Sequence, residues 1–230
     1  VDGEGQPYST EAFGVIRQFL SGEQVAYALG DASSAYSSEE TSEDFGVRKF
    51  YRHLLLLKPD IVVIYDQLEA ASPVEWSWLI HSMSRIETDE SNNTFRSKLD
   101  HVSGVGALWS AIPVNFVLSD TFDVPAVNWR GSKDASGKLK TYESEQWHLK
   151  AVSAEKASSN RFLAILQIAP GVEAAAFNST REGSVISVRA GRWSISADVS
   201  TDAPASLRIE NEDASSVFQL DADQVPTLLE

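Results

Sequence analysis

Residues 47–81 read VRKFYRHLLLLKPDIVVIYDQLEAASPVEWSWLIH, and the reading of this stretch decides the fold. Side chains of an extended strand alternate between two faces. Arg48, Phe50, Arg52, Leu54 and Leu56 therefore share one face, and Val47, Lys49, Tyr51, His53, Leu55 and Leu57 share the other. IVVIY (61–65) is apolar on both faces, as expected for a strand in the middle of a layered structure. Lys58-Pro59-Asp60 between them is turn chemistry. The longest apolar run, 53–66, thus reads as two buried strands, whereas a membrane span needs about 20 apolar residues. In the closing VEWSWLIH, Val74, Trp76, Trp78 and Ile80 oppose Glu75, Ser77, Leu79 and His81.

The same period of two continues outward. In VAYAL, Val25, Tyr27 and Leu29 share a face; in RFLAILQIA, Phe162, Ala164, Leu166 and Ile168 do. RWSISADV sets Trp193, Ile195, Ala197 and Val199 against Arg192, Ser194, Ser196 and Asp198. Residues 13–19, 115–119, 145–152, 184–189 and 205–210 are further strand candidates. Turn signals punctuate the chain at Ser21-Gly22, Ser72-Pro73, Asn92-Asn93, Ala169-Pro170-Gly171 and Ala190-Gly191. No helix is expected, and residues 151–159 offer at most a turn. Two polar stretches, 33–46 and 128–144, are long for β connections and read as exposed loops. With no repeat and no linker, the expectation is one all-β domain over residues 1–230, a large antiparallel β-sandwich.

Composition narrows the functions. A net charge of −14 argues against nucleic acid as a partner, because phosphate binding needs a basic surface. Zero cysteines remove disulfides, thiolate metal sites and Cys nucleophiles together. No two of the four histidines, 53, 81, 101 and 148, have metal-ligand spacing, so no metal site is predicted in this chain. There is no H-E-x-x-H, no phosphate-binding glycine loop and no G-x-S-x-G.

Five residues stand out as substrate-binding candidates. His81 ends the half-polar face of a strand whose other face is strongly apolar; it is either a surface histidine or part of a cleft wall. Arg48, Tyr51 and Arg52 belong to RKFYR, the dense basic cluster of an acidic chain. Arginine can take a sugar carboxylate with two parallel hydrogen bonds. The cluster can equally pair with the acidic loop SEETSEDF just before it. Trp129, in the second polar loop, is the tryptophan placed to stack on a sugar, since Trp76, Trp78, Trp147 and Trp193 fall on apolar strand faces. His148 alternates with Gln146 and Lys150 opposite Trp147 and Leu149, the signature of a solvated face.

VDGEGQP, VAYALGDASSAY, the 47–81 stretch and QWHLKAVSAEK…RFLAILQIAP, in that order, resemble the C-terminal β-sandwich of the heparinase II/III-like polysaccharide lyases. The resemblance covers residues 1 to about 170. It implies a supersandwich-like fold and a bacterial periplasmic or secreted parent that cleaves uronate-containing polysaccharide, of the heparan sulfate, heparin or alginate type, by β-elimination. In such lyases an N-terminal helical toroid packs on the sandwich and carries most of the catalytic groups. The implied partners are therefore an acidic polysaccharide and the chain's own toroid, with no nucleic acid and no membrane. In the family, a His-Asn-Thr-type segment precedes VDGxGQ and its histidine serves a zinc site. Zinc is thus implied for an intact parent and no cofactor for this chain, which the resemblance makes a fragment that is inactive alone. The alternative is a non-catalytic carbohydrate-binding or structural sandwich.

Overall fold

The structure, a computed structural model, describes residues 1–121, 133–138, 146–170, 177–213, 215, 217–221 and 226–229. Its strands are β1 (Val15–Ser21), β2 (Val25–Asp31), β3 (Ser37–Ser38), β4 (Glu43–Asp44), β5 (Val47–Leu57), β6 (Ile61–Val74) and β7 (Ser77–Ser82). They continue with β8 (Ile86–Asp89), β9 (Thr94–Leu99), β10 (Val102–Ser110), β11 (Val114–Ser119), β12 (Trp147–Ser153) and β13 (Ala157–Pro170). The last are β14 (Asn178–Glu182), β15 (Val185–Ala190), β16 (Trp193–Asp198), β17 (Ser206–Asn211), β18 (Val217–Asp221) and β19 (Thr227–Leu229). One 3-10 turn, Ser33–Tyr36, interrupts them.

Three layers result. The middle one is an eight-stranded antiparallel sheet in the order β1-β2-β5-β6-β13-β10-β9-β8. A six-stranded meander, β14 to β19, covers one of its faces, and a three-stranded sheet, β11-β12-β7, covers part of the other. The expected all-β antiparallel sandwich is thus present, with a third layer added.

Each face of the middle sheet builds its own core. Tyr27, Leu55, Leu57, Val63, Tyr65, Leu163 and Ile165 meet Ile186, Val188, Trp193, Ile195, Ile209 and Phe218 of the meander. On the other face Leu68, Phe95, Leu108 and Phe162 meet Trp76, Trp78, Leu149 and Ala151. Alternation explains this: Leu55 and Leu57 point one way while Leu54 and Leu56 point the other and stay exposed. β6, β13 and β10 are central, and runs such as Phe162–Ile165 are buried on both faces.

Three sequence expectations are revised. Ser72-Pro73 is not a break but lies inside β6. A register shift between Ala157 and Ser159 of β13 lets β6 carry extra residues there, where proline's missing N–H costs the ladder nothing. Residues 151–159 are the end of β12 and the start of β13, joined by a short bend. The stretch 33–46, read as an exposed loop, instead folds into the 3-10 turn and the β3-β4 pair and buries Ala35 and Ser38, and β8, β9, β10, β14, β18 and β19 had no sequence-level counterpart.

Candidate functional site

The outer face of the three-stranded sheet gathers two histidines and a lysine. Register pairs His81 of β7 with His148 of β12, and Leu79 with Lys150. Across the other ladder, Lys150 pairs with Val117 of β11 and His148 with Ser119. The two imidazole rings lie 5.9 Å apart, centroid to centroid, tilted by 43°. Lys150 stands one row away and reaches Glu75 at 3.9 Å. On the inner face of the same strands, Trp78 and Leu149 are buried in the core and Ile80 packs against it.

A face with two imidazoles and an ammonium has definite chemistry. It can donate hydrogen bonds to sugar hydroxyls, and it attracts carboxylate or sulfate when the rings are protonated. Two imidazoles are half of the ligand set of a closed tetrahedral zinc site. Among the described residues no group of three or more His, Asp or Glu side chains is placed to hold a metal ion. The residues present therefore do not fit a zinc site by themselves.

The other candidates lie elsewhere. Arg52 and Arg48 are on the middle sheet, on the face of β5 that points away from the meander and that the three-stranded sheet partly covers. Arg52 donates from Nε and Nη2 to the two carboxylate oxygens of Asp66 at 2.8 and 2.7 Å. Burial drives the Asp66 carboxyl up, and the Arg52 guanidinium pulls against it. For Arg52, burial is outweighed by the Asp66 hydrogen bonds and charge, and its pKa rises. Arg48 reaches Asp44 at 3.5 Å, and Lys49 reaches Glu69 at 3.3 Å. Each cation of RKFYR thus has a carboxylate within the chain, and the acidic loop supplies the one for Arg48. Tyr51 points to the other face of β5, under the Lys49 ammonium at 5.2 Å. Trp129 lies outside the described residues.

Sequence reasoning undervalued His148 and Lys150. Their alternation was visible, but the register that sets His148 against His81 joins strands separated by more than sixty residues. Sequence also gave no hint of His53, which is buried between two side chains. Its Nδ1 lies 2.9 Å from the Tyr27 hydroxyl and its Nε2 lies 2.8 Å from Gln67 Nε2. The Gln67 amide donates to Nε2, so the neutral ring carries its proton on Nδ1. Burial, helped by the charge of Lys49, lowers the His53 pKa to about 4.

No family model matches the sequence. No curated protein matches it either. Solved structures do match the fold. A heparinase III gene product aligns over 90% of this chain and 27% of its own, with a TM-score of 0.57 and 7% identity. Heparan sulfate lyase HepC from Pedobacter heparinus aligns over 94% of this chain and 28% of its own, with a TM-score of 0.54 and 10% identity. A further heparinase III gives 0.52 over 91% of this chain, at 8% identity. The chain spans little more than a quarter of the length of these structures. At such identities the likeness shows a shared fold.

Proposed function

We propose that this chain is the β-sandwich part of a longer polysaccharide lyase, exported from the cell, that acts on a uronate-containing polysaccharide. The observation that carries the reading is the match in fold to heparinase III and heparan sulfate lyase structures along 90% or more of the chain. The composition agrees: an acidic protein that gathers His81, His148 and Lys150 on one face has a local place for an anionic sugar. In this reading the outer face of the three-stranded sheet is one wall of the substrate cleft. The rest of the parent supplies the base that removes the proton at C5 and the acid that protonates the leaving O4. A zinc ion in the parent would need ligands beyond this chain's two imidazoles, and no step is assigned to it. His81 and His148 hold sugar hydroxyls or carboxylate.

The test is a lyase assay on this chain and its longer parent, on heparin, heparan sulfate, alginate, chondroitin and hyaluronan. The readout is the ultraviolet absorbance of the unsaturated uronate. Activity in the parent alone is expected. In the parent, His81→Ala and His148→Ala should each raise KM by roughly tenfold, the value of one hydrogen bond to a charged group. Silence of the folded parent on every substrate would replace the lyase reading with a non-catalytic carbohydrate-binding module.

A further inference from the structure

At the β8 end of the middle sheet lies a cavity of about 590 Å³. The core under the meander takes Ala107 and Trp109 of β10, and nothing from β8 or β9 among the described residues. Ile86 and Phe95 point the other way, into the core beneath the three-stranded sheet. Alternation therefore turns Arg96 and Lys98 of β9 to the meander side. Register sets them in two rows: Glu87, Arg96 and Val105 in one, Lys98 and Ser103 in the next. Arg85, one residue before β8, extends the second row, because Ile86 pairs with Ser97. Ser103 and Val105 form a floor only 7% and 8% exposed, and Arg85, Arg96 and Lys98 line the same cavity.

Three cations around one cavity are unexpected in a chain of net charge −14. Two of them have no carboxylate partner among the described residues. Arg85 lays its guanidinium carbon 5.3 Å from the centroid of the Trp147 ring. Such stacking uses the face of the group and leaves the N–H donors at its edge for a ligand. Lys98 is exposed and makes no ion pair among the described residues. Arg96 donates to Glu87 at 2.7 Å, in a pair whose members are 64% and 62% exposed. Solvated partners of this kind hold each other weakly, so Arg96 can be shared with a ligand. Asp89, the other carboxylate at the cavity, is occupied by its own turn. Its Oδ1 accepts from the Ser91 hydroxyl and the Ser91 and Asn92 N–H groups, and its Oδ2 from the Asn92 amide.

We propose that this cavity binds an anionic sugar, whose carboxylate or sulfate is held by Arg85 and Lys98. A guanidinium takes two oxygens of such a group in parallel, and the neighbouring ammonium adds a point charge. The volume lies within the ~300–1,000 Å³ of small-ligand sites, far more than a bare anion needs. Thr94 lines the same cavity and brings a hydroxyl that suits those of a sugar. The inference rests on the proposed uronate-containing polysaccharide for the identity of the sugar. It goes further by adding a binding place on the opposite face of the middle sheet from the layer that carries His81 and His148.

Isothermal titration calorimetry of this chain at low salt tests it, with heparin and alginate tetrasaccharides as ligands. Neutral cellotetraose and sodium sulfate are the controls. A charged tetrasaccharide is expected to bind and the neutral one not to. Lys98→Ala and Arg85→Gln should each weaken binding about tenfold, the value of one charge-assisted hydrogen bond. Should a variant fail to fold, amide NMR shifts of Ser103 and Val105 on adding the sugar locate the site in the unaltered chain. Absence of binding overturns the proposal, as does binding that both folded variants leave intact or that shifts other amides alone. Sodium sulfate binding as tightly as the oligosaccharides also overturns it, by making a free inorganic anion the ligand. The lyase assay on the longer parent separates the premise. Activity there without binding here sinks this site alone, and binding here with a parent silent on every substrate sinks the lyase reading alone.

Discussion

At the scale of single residues, Arg52 and His53 are neighbours with opposite requirements. Asp66 is fully buried, and the two-pronged contact from Arg52 is what makes its charge tolerable. Arg52→Ala should cost about 2–4 kcal/mol of unfolding free energy by leaving that carboxylate without its partner. Chemical denaturation reads the loss; a change below about 0.5 kcal/mol would free Arg52 for a purely functional role. His53 is held neutral, with a pKa lowered to about 4 from an ordinary 6.5. The unfolded chain therefore binds this proton first as pH falls. Stability from the neutral ring is complete above about pH 6.5 and drains away between there and pH 4. Between pH 7 and pH 5 the loss from this one site should be about 2 kcal/mol. Urea midpoints at both pH values measure it, and His53→Gln should flatten the difference.

At the scale of elements, β10 shows why some strands were invisible. VSGVGALWS (102–110) mixes glycine, serine and apolar residues without alternation, because the strand is buried on both faces between β9 and β13. A period-two pattern exists only where one face meets water. Gly106 has a specific reason to be glycine. A methyl group there would overlap the Phe95 ring, which crosses from β9, and lie 2.8 Å from a Leu166 methyl. Gly106→Ala should therefore destabilise by roughly 1–3 kcal/mol through overpacking. Phe95→Leu in the Gly106→Ala background should recover part of the loss, as a double-mutant cycle in urea would show. The half-exposed strands were legible for the converse reason. In β15 and β16 every second residue is buried against the middle sheet, and Val185, Ser187, Arg189, Ser194, Ser196 and Asp198 between them face outward.

At the scale of the whole molecule, the two cores share one sheet. β6, β10 and β13 give Tyr65, Trp109 and Leu163 to the meander side, and Leu68, Leu108 and Phe162 to the other. Neither outer layer can leave without exposing strands that the other layer also needs. The described layers should consequently unfold together. Trp193 reports from one core and Trp78 from the other. Fluorescence of Trp193→Phe and Trp78→Phe variants should give coincident urea transitions, and midpoints separated beyond error would show independent layers. The candidate site is set by the same architecture. His81 and His148 meet because β7 and β12 pair, and those strands pair because Trp78 and Leu149 must both be buried on the middle sheet.

The amino-acid sequence by itself determined the all-β class, most of the strands with one wet face, and the alternation that sets His81 opposite Trp78. These are consequences of local geometry, since the period of two is a property of each strand alone. Only the tertiary structure decided that three layers form, that Arg52 serves Asp66, that His148 stands beside His81, and that Leu54 and Leu56 lie bare. Each of these depends on register between strands far apart in the chain. Alternation tells which side a residue faces, and it carries no information about what waits on that side.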